Sequence, residues 1–461
     1  MMKPVLLSLV LVSLGACANI TEPGIAGQAA RDTLPNAPNA WAMAGERVGP
    51  VKAGWIARLE DPVLNALIDE ALANNRNLQA AAANVQRSWA LAGQAGAALS
   101  PSVSLSSGAT RSGNIEDSGG DSYSLTGQAS WELDLWGRIR AGNQAAVLSA
   151  EAAEADYVYS QYSLAAAVAR GYFLAIEADR QAETVRNTLD ALSETDRIVG
   201  VQFEFGLATS QDVALSRSDL ARTKASLIAA QGSQRDALRS LEVLLGRYPA
   251  ADLELRRDLP AIPPPPPPGL PSEILERRPD VIAAERQVAA SFNSLDQAKA
   301  ARMPSISLTG SLGGSSGDLT NLINPTNIAW QAATSLVAPL IDGGLRESQV
   351  EQASAEQTQA IAVYADTVLT AFQEVEGSLD QSVVLKDRAV QLEQAASEAR
   401  NALRIANLRY EEGETDLLDV LTIQQRVLSN EGDVVSIERA QLDEWVALNL
   451  ALGGSWEESE G

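Results

Sequence analysis

Two hydrophobic periods alternate along the chain, and each appears twice. Segments 101–110, 123–133, 304–314 and 327–337 place apolar residues at every second position, with mainly Ser, Thr, Gly or Gln between them. A long proline-free stretch rich in Ala, Leu, Gln and Glu follows each pair of segments, and these residues favour helix. The sequence therefore predicts a mainly α fold with a smaller β part.

The alternating segments are expected to form four β-strands with one apolar face. The residues on that face are Val103 and Leu105, Tyr123 and Leu125, Ile306 and Leu308, and Ile328 and Trp330. Period-two alternation with a polar opposite face is typical of membrane strands, and stretches 112–121 and 313–326 are expected loops. Four strands cannot close a barrel, and lipid does not tolerate an open edge. If these strands enter a membrane, several chains must share one barrel.

Each proline-free stretch is expected to form a long helical hairpin. The first helix is predicted from Gly137 to about residue 200, a rod of roughly 90–95 Å. Gly206 then ends it, and Thr209 or Ser210 can cap a return helix that runs to Gly246. The second hairpin is predicted to rise from Gly343 to about Tyr410, to turn at Gly413, and to return over about 415–452.

The two halves are copies of one unit. The tip sequences FEFGLATSQDV (203–213) and YEEGETDLLDV (410–420) match, as do LWGRIR (135–140) and IDGGLR (341–346). Such self-similarity indicates a tandem duplication, with biased composition as the alternative. The first repeat is expected over 61–250 and the second over 273–454, each with a helix, two strands and a hairpin. The Pro-rich linker over 251–272 is interpreted as an extended spacer, or less simply as a ligand for a Pro-recognition domain.

The N-terminus has the features of an exported lipoprotein. Residues 1–16 are predicted to be a signal peptide, and Cys17, the only cysteine, ends the lipobox-like LGAC. Acylation of Cys17 would make 17–60 a lipidated N-terminal segment, and Ala18 fits sorting to the outer membrane. An ordinary signal peptide or a buried cysteine are the alternatives. Residues 455–461 are expected to form a C-terminal tail.

Composition excludes several classes of function. A net charge of −24 argues against nucleic acid as a partner. The absence of His removes Ser-His-Asp triads and imidazole chemistry, and Cys17 is committed to the lipobox. The chain has no GxxxxGK[ST] sequence, so any energy from nucleotide hydrolysis must be supplied by another protein. We therefore expect no enzyme, no cofactor and no metal site. No apolar run after residue 20 is long enough for a membrane helix.

Four stretches resemble a known family. WELDLWGRIR (131–140), residues 277–310 and the two hairpin tips look like TolC-type outer-membrane efflux proteins, specifically the lipidated NodT-like branch. The resemblance covers about residues 55–455. It implies a homotrimer whose twelve strands form one outer-membrane barrel and whose hairpins form a periplasmic tunnel. It also implies a passive exit duct for drugs or metals, with a periplasmic adaptor and an inner-membrane resistance-nodulation-division pump as partners, and outer-membrane lipid around the barrel. A lipid-anchored periplasmic scaffold without a pore is the alternative.

The resemblance also assigns roles to the tips and the junctions. The tips are expected to converge into a periplasmic iris where the adaptor docks, with the first tip outermost. The expected gate residues are Arg409, Tyr410, Asp416, Leu418 and Asp419, unless the acidic turn is merely solvated. Gly137, Gly343 and Gly344 are expected to mark the passage from strand to helix, with simple helix initiation as the alternative; Gly206 and Gly413 are the hairpin-tip glycines.

Overall fold

The computed structural model describes residues 28, 40–43, 54–113 and 119–455. Cys17, the signal peptide over 1–16, most of the segment 17–60 and the tail beyond residue 455 lie outside the described residues.

Helices and strands alternate in the same order in both halves. The first half contains α1 (Pro62–Asn74), α2 (Arg76–Ala97), β1 (Ser102–Ser112), β2 (Gly120–Leu133), α3 (Arg138–Glu204) and α4 (Ser210–Leu244). The second contains α5 (Ile274–Arg277), α6 (Pro279–Ala300), β3 (Ser305–Ser316), β4 (Ile328–Val337), α7 (Leu345–Glu411) and α8 (Leu417–Ala451). Single 3-10 turns lie at Ile56–Leu59, Pro271–Glu273, Leu319–Asn321 and Pro325–Asn327.

The first long helix extends slightly further than the sequence indicated, and the second lies close to its predicted bounds. Helices α3 and α7 each contain 67 residues, about 100 Å at 1.5 Å per residue. Gly200 lies inside α3, because a single glycine costs only about 1 kcal/mol in a helix interior. None of the described helices combines the length and the apolar character needed to cross a bilayer.

The four strands form one antiparallel sheet in the order β1-β2-β3-β4. Strand β3 continues to Ser316, into the expected loop, because residues 313–316 pair with residues 123–126 of β2. The register places Leu105, Gly127, Leu312 and Trp330 in one row across the sheet, and Ser104, Gln128, Ser311 and Gln331 in the next. Since neighbouring rows point to opposite faces, the sheet has one apolar and one polar face, as the alternation predicted.

The chain divides into two compact units. The unit with the sheet contains residues 83–155 and 282–367. Two indole N–H groups attach the segments that enter the strands: Trp131 donates to the Leu99 carbonyl at 3.0 Å, and Trp136 donates to the Pro304 carbonyl at 2.6 Å. These two bonds tie the C-terminal end of β2 and the residues after it to the segments that precede β1 and β3.

The other unit contains residues 36–82, 156–281 and 368–461, and has the larger apolar core. Trp55 and Trp445 meet edge to face at 5.9 Å, near the buried pair Tyr172 and Phe173. Asp61, 1% exposed, accepts hydrogen bonds from the first N–H groups of α1 and from the Tyr172 hydroxyl at 2.9 Å. These donors compensate the burial of its charge. Burial and the neighbouring Asp61 raise the pKa of Tyr172.

Among the described residues of this unit, Arg278 is the most deeply buried cation, at 2% exposed. Its guanidinium lies 2.6 Å from both the Asp280 and the Glu374 carboxylates and donates to the Ala451 carbonyl at 3.2 Å. One side chain therefore connects the start of α6 with α7 and with the C-terminal end of α8.

The Pro-rich linker is bound to its own chain. Buried prolines recur at 260, 263 and 266, which is the three-residue period of a polyproline II helix lying with one edge against a surface. Trp445 donates to the Pro264 carbonyl at 3.3 Å, and Trp41 donates to the Pro268 carbonyl at 3.1 Å. Trp41 also meets Phe372 edge to face at 5.8 Å. The expected spacer is thus extended, and it is held by two indoles.

Candidate functional site

The doubled tip motif forms the same helix-ending turn twice. At the first tip the Gly206 and Leu207 N–H groups donate to the Phe203 and Gln202 carbonyls at 3.0 and 2.8 Å. At the second, Gly413 and Glu414 donate to Tyr410 and Arg409 at 3.0 and 2.8 Å. This is the Schellman pattern, which needs a left-handed residue. Gly206 and Gly413 supply it, with φ of 71° and 76°.

The helices that return from the two tips begin differently. Thr209 caps α4 through a reciprocal box with Asp212, so the sequence alternatives Thr209 and Ser210 resolve to Thr209. At the second tip Asp416 occupies the N-cap position of α8, and its side chain makes no capping hydrogen bond. The Thr415 hydroxyl instead donates to the Asp419 carboxylate at 2.7 Å. Asp416 is therefore free of the constraint that fixes its counterpart Thr209.

The two tips touch through one polar link and one apolar cluster. The Tyr410 hydroxyl donates to Oε1 of Gln202 at 3.0 Å. Burial raises the pKa of Tyr410, and the nearby negative charge of Asp212 adds to the effect. On the core side of this link the buried residues Leu192, Val199, Leu417 and Leu421 pack together. The sequence did not indicate Gln202, because nothing in the spacing of α3 marks which polar residue faces the second hairpin.

The other predicted gate residues lie on the surface of the single chain. Arg409 pairs with Glu414 at 3.5 Å, and both side chains are more than half exposed. Leu418 is 53% exposed, whereas its neighbour Leu417 is buried. The structure thus brings Tyr410 to the first tip and Arg409 to an acid of its own turn, and it leaves Leu418 available for contacts outside the chain.

The predicted junction glycines lie between strand and helix. Gly137 separates β2 from α3 with φ of 76°, and Gly343 and Gly344 precede α7 with φ of 65° and 87°. At each junction an aspartate accepts from the first N–H groups of the long helix and pairs with an arginine. Asp134 pairs with Arg140 at 3.1 Å, and Asp342 with Arg346 at 3.5 Å. The negative charge stabilises the N-terminus of each long helix.

Between the core and the tips, α3 and α8 meet through polar side chains. Glu177 accepts from Ser436 at 2.7 Å and from Arg439, which also binds Asp443. Further along, Arg180 pairs with Glu438, and Gln181 donates to the Gly432 carbonyl at 2.8 Å. Burial raises the pKa of Asp443 to about 6, although Arg439 and Arg170 oppose the change. The contact between the first hairpin and the return helix of the second is therefore polar in this stretch.

Comparisons with known proteins identify the family. The sequence profile described as "Outer membrane efflux protein" matches residues 67–247 and 270–454, one segment in each half of the chain. This chain belongs to the outer membrane efflux protein family. The "Pyoverdine export outer membrane protein OpmQ" of Pseudomonas aeruginosa PAO1 is 30% identical over 459 residues, covering 96% of this chain and 95% of the relative.

Other relatives agree with this assignment. The "Cation efflux system protein CusC" of Escherichia coli O6:H1 is 28% identical, covering 88% of this chain and 89% of that protein. The solved outer-membrane channel OprN is 30% identical, with a TM-score of 0.83, covering 92% of this chain and 98% of that structure.

Membership confirms several predictions. The chain is an outer-membrane exit duct for efflux that extends into the periplasm, and it is a transporter rather than an enzyme or a scaffold without a pore. Its mainly α fold with a membrane β part is that of trimeric channels, which close a barrel and a helical tunnel. With four strands from each chain, the barrel has twelve.

Proposed function

We propose that this efflux channel works with a periplasmic adaptor and an inner-membrane resistance-nodulation-division pump, which together open it at the hairpin tips. The observation that carries the proposal is that the two tips share one backbone geometry but expose side chains of different chemistry. The first tip exposes the apolar side chains Phe203, Phe205 and Leu207 (48%, 76% and 79% exposed). Exposed apolar groups of this kind mark protein contact surfaces. We assign the first tip to the adaptor.

The second tip supplies the gate. Five acids, Glu411, Glu412, Glu414, Asp416 and Asp419, lie within nine residues of the turn. Around the threefold axis of a trimer, three copies of Asp416 and Asp419 form rings of carboxylates. Such rings at a constriction attract cations and repel anions. Tyr410 and Arg409 hold the turn closed, and Leu418 packs against its symmetry copies.

The charge of the gate can be tested in planar bilayers. The purified trimer is expected to show a small, cation-selective conductance. Asp416→Ala with Asp419→Ala should bring the cation-to-anion permeability ratio close to that of free solution, because six carboxylates leave the constriction. The reversal potential in a KCl gradient measures this ratio.

Asp212→Ala is the matched control, since Asp212 occupies the position of Asp419 in the first repeat. We expect it to change the ratio little, because the first tip is assigned to the adaptor and lies outside the constriction. If the double variant keeps its selectivity, or if Asp212→Ala lowers it equally, the second tip is not the selective gate.

The proposal includes lipid anchoring through Cys17. Two or three acyl chains bind a membrane far more firmly than one. Cys17→Ser should therefore abolish incorporation of radioactive palmitate into the protein, while trimers still form in the outer membrane, because the strands insert independently of the anchor. Persistent labelling of the Ser variant would contradict the assignment of Cys17.

In this proposal the inner-membrane pump selects the cargo. Relatives of similar identity are named for pyoverdine export and for cation efflux. A duct shared by such different tasks leaves the choice of substrate to its partners.

A further inference from the structure

Most side chains on the polar face of the sheet carry a hydroxyl group, and nearly all of the others are Gly, Ala or Gln. Its rows, read across β1, β2, β3 and β4, are Ser102, Ser130, Thr309 and Ala333; Ser104, Gln128, Ser311 and Gln331; and Ser106, Thr126, Gly313 and Ala329. Toward the C-terminal end of β1 the same face continues with the pair Thr110 and Ser122. Because the apolar face lies against lipid, this face lines the lumen of the barrel.

Contacts between neighbouring strands show that these side chains share one side. The hydroxyls of Ser102 and Ser130 lie 2.9 Å apart, and those of Ser307 and Ser335 lie 2.6 Å apart. The Ser106 hydroxyl donates to the Thr126 carbonyl at 3.3 Å. Each hydroxyl is one donor with two acceptor lone pairs. The wall therefore keeps free acceptor capacity after these bonds are made.

Charge is almost absent from this face. Within the four strands, all of which lie in the described part of the chain, Glu132 is the one charged residue in the polar rows. Nη2 of Arg138 lies 2.9 Å from both of its carboxylate oxygens, so the charge is compensated. Gln128 stands four residues away, about 13 Å along the strand. That separation exceeds the Debye length of about 10 Å at 0.1 M salt, so mid-barrel is screened from Glu132.

The ends of β1 and β2 that lie away from Glu132 also add no net charge. Arg111 and Asp121 face each other in the register and pair at 3.8 Å. They occupy the rows of the apolar face, which do not line the lumen.

We infer that the barrel is a charge-neutral, hydroxyl-lined passage that hydrogen-bonds polar cargo of either sign without selecting by charge. Mostly short Ser and Thr side chains also keep the bore wide, so bulky polar solutes pass. Cargo of one charge would favour a lining of opposite charge, and the four strands carry no uncompensated charge on this face. The inference rests on the proposed gate, because it leaves the second tip as the place where ions are discriminated.

Gln128 offers a nearly isosteric test. Open channels of the Asp416→Ala, Asp419→Ala background are compared with the same background carrying Gln128→Glu, Gln128→Lys or the neutral control Gln128→Asn. Each substitution puts three charges, or none, into the trimer at mid-barrel. We expect the background and the Asn variant to discriminate K⁺ from Cl⁻ less than about twofold. The Glu variant should favour K⁺ and the Lys variant Cl⁻, each by several fold.

Two results would overturn the inference. If the background loses the cation preference of the native channel but then strongly favours Cl⁻ over K⁺, a charged wall exists elsewhere in the duct. If Glu and Lys leave the permeability ratio unchanged in conducting channels, Gln128 does not face the lumen. Failure of the proposed gate has a different signature, since selectivity then survives the tip substitutions but still responds to Gln128→Lys.

Discussion

Replacing Arg278 with Met is expected to destabilise the channel by about 3 kcal/mol, the lower end of the cost of breaking a buried ion pair from one side, because the Glu374 side chain is 44% exposed and water screens its charge. Arg278 is 2% exposed. Its guanidinium pairs with the Asp280 and Glu374 carboxylates and donates a hydrogen bond to the last carbonyl of α8, at Ala451. Without it, two carboxylates lose their partner, and the negative end of α8 loses a cation that stabilises it. The temperature at which trimers dissociate on gels, and their yield in outer membranes, measure the loss.

Arg286→Met is the control for this experiment. Arg286 follows Arg278 in the same region of sequence, but it pairs with Glu151 at 3.3 Å with both side chains more than a third exposed. An exposed pair of this kind contributes at most about 1 kcal/mol. Arg278→Met combined with Asp280→Asn and Glu374→Gln should recover part of the stability, because the unpaired charges are removed. Equal stability of the two single variants would contradict a structural role for Arg278.

The parts of the fold that the sequence predicted share one property: they repeat. Alternation at Val103, Leu105 and their counterparts is read directly as a face of the sheet, since a one-residue slip would move every side chain to the other side. Gly206 and Gly413 lie where the turn requires a left-handed residue. They are equivalent positions of the two repeats, so each supports the prediction made for the other. Patterns of this kind are local, so they need no knowledge of the neighbouring chain.

The contacts that were not predicted join residues far apart in sequence. Gln202 and Tyr410 are 208 residues apart, and Trp41 lies 227 residues from Pro268. Helix α3 carries many polar residues, and only the packing of the two hairpins selects Gln202 as the partner of Tyr410. Likewise, the Pro-rich linker has the composition of a free spacer, and the indoles that bind it come from other parts of the chain.

The contact between the tips explains why the second tip, rather than the first, should move. The first tip is fixed locally: its capping box joins Thr209 to Asp212 within one turn. At the second tip Asp416 makes no side-chain capping bond, and Tyr410 relies on Gln202 of the other hairpin. Above the tips, α3 and α8 meet through hydrogen bonds and ion pairs between Glu177, Arg180, Glu438 and Arg439. Polar contacts of this kind can exchange with water when the helices separate.

Tyr410→Phe combined with Arg409→Ala is therefore expected to open the gate. A neutral hydrogen bond contributes about 1 kcal/mol, so its loss in three chains costs the closed state about 3 kcal/mol, more than a hundredfold in the closed-to-open equilibrium. Single-channel recording should show frequent large openings in place of the small conductance of the native trimer. Gln202→Leu should reproduce the effect of Tyr410→Phe, and the two together should add little, since both remove the same bond. If Gln202→Leu and Tyr410→Phe each leave the closed-state conductance unchanged, the link between the tips does not hold the channel shut, and closure must depend on contacts between neighbouring chains alone.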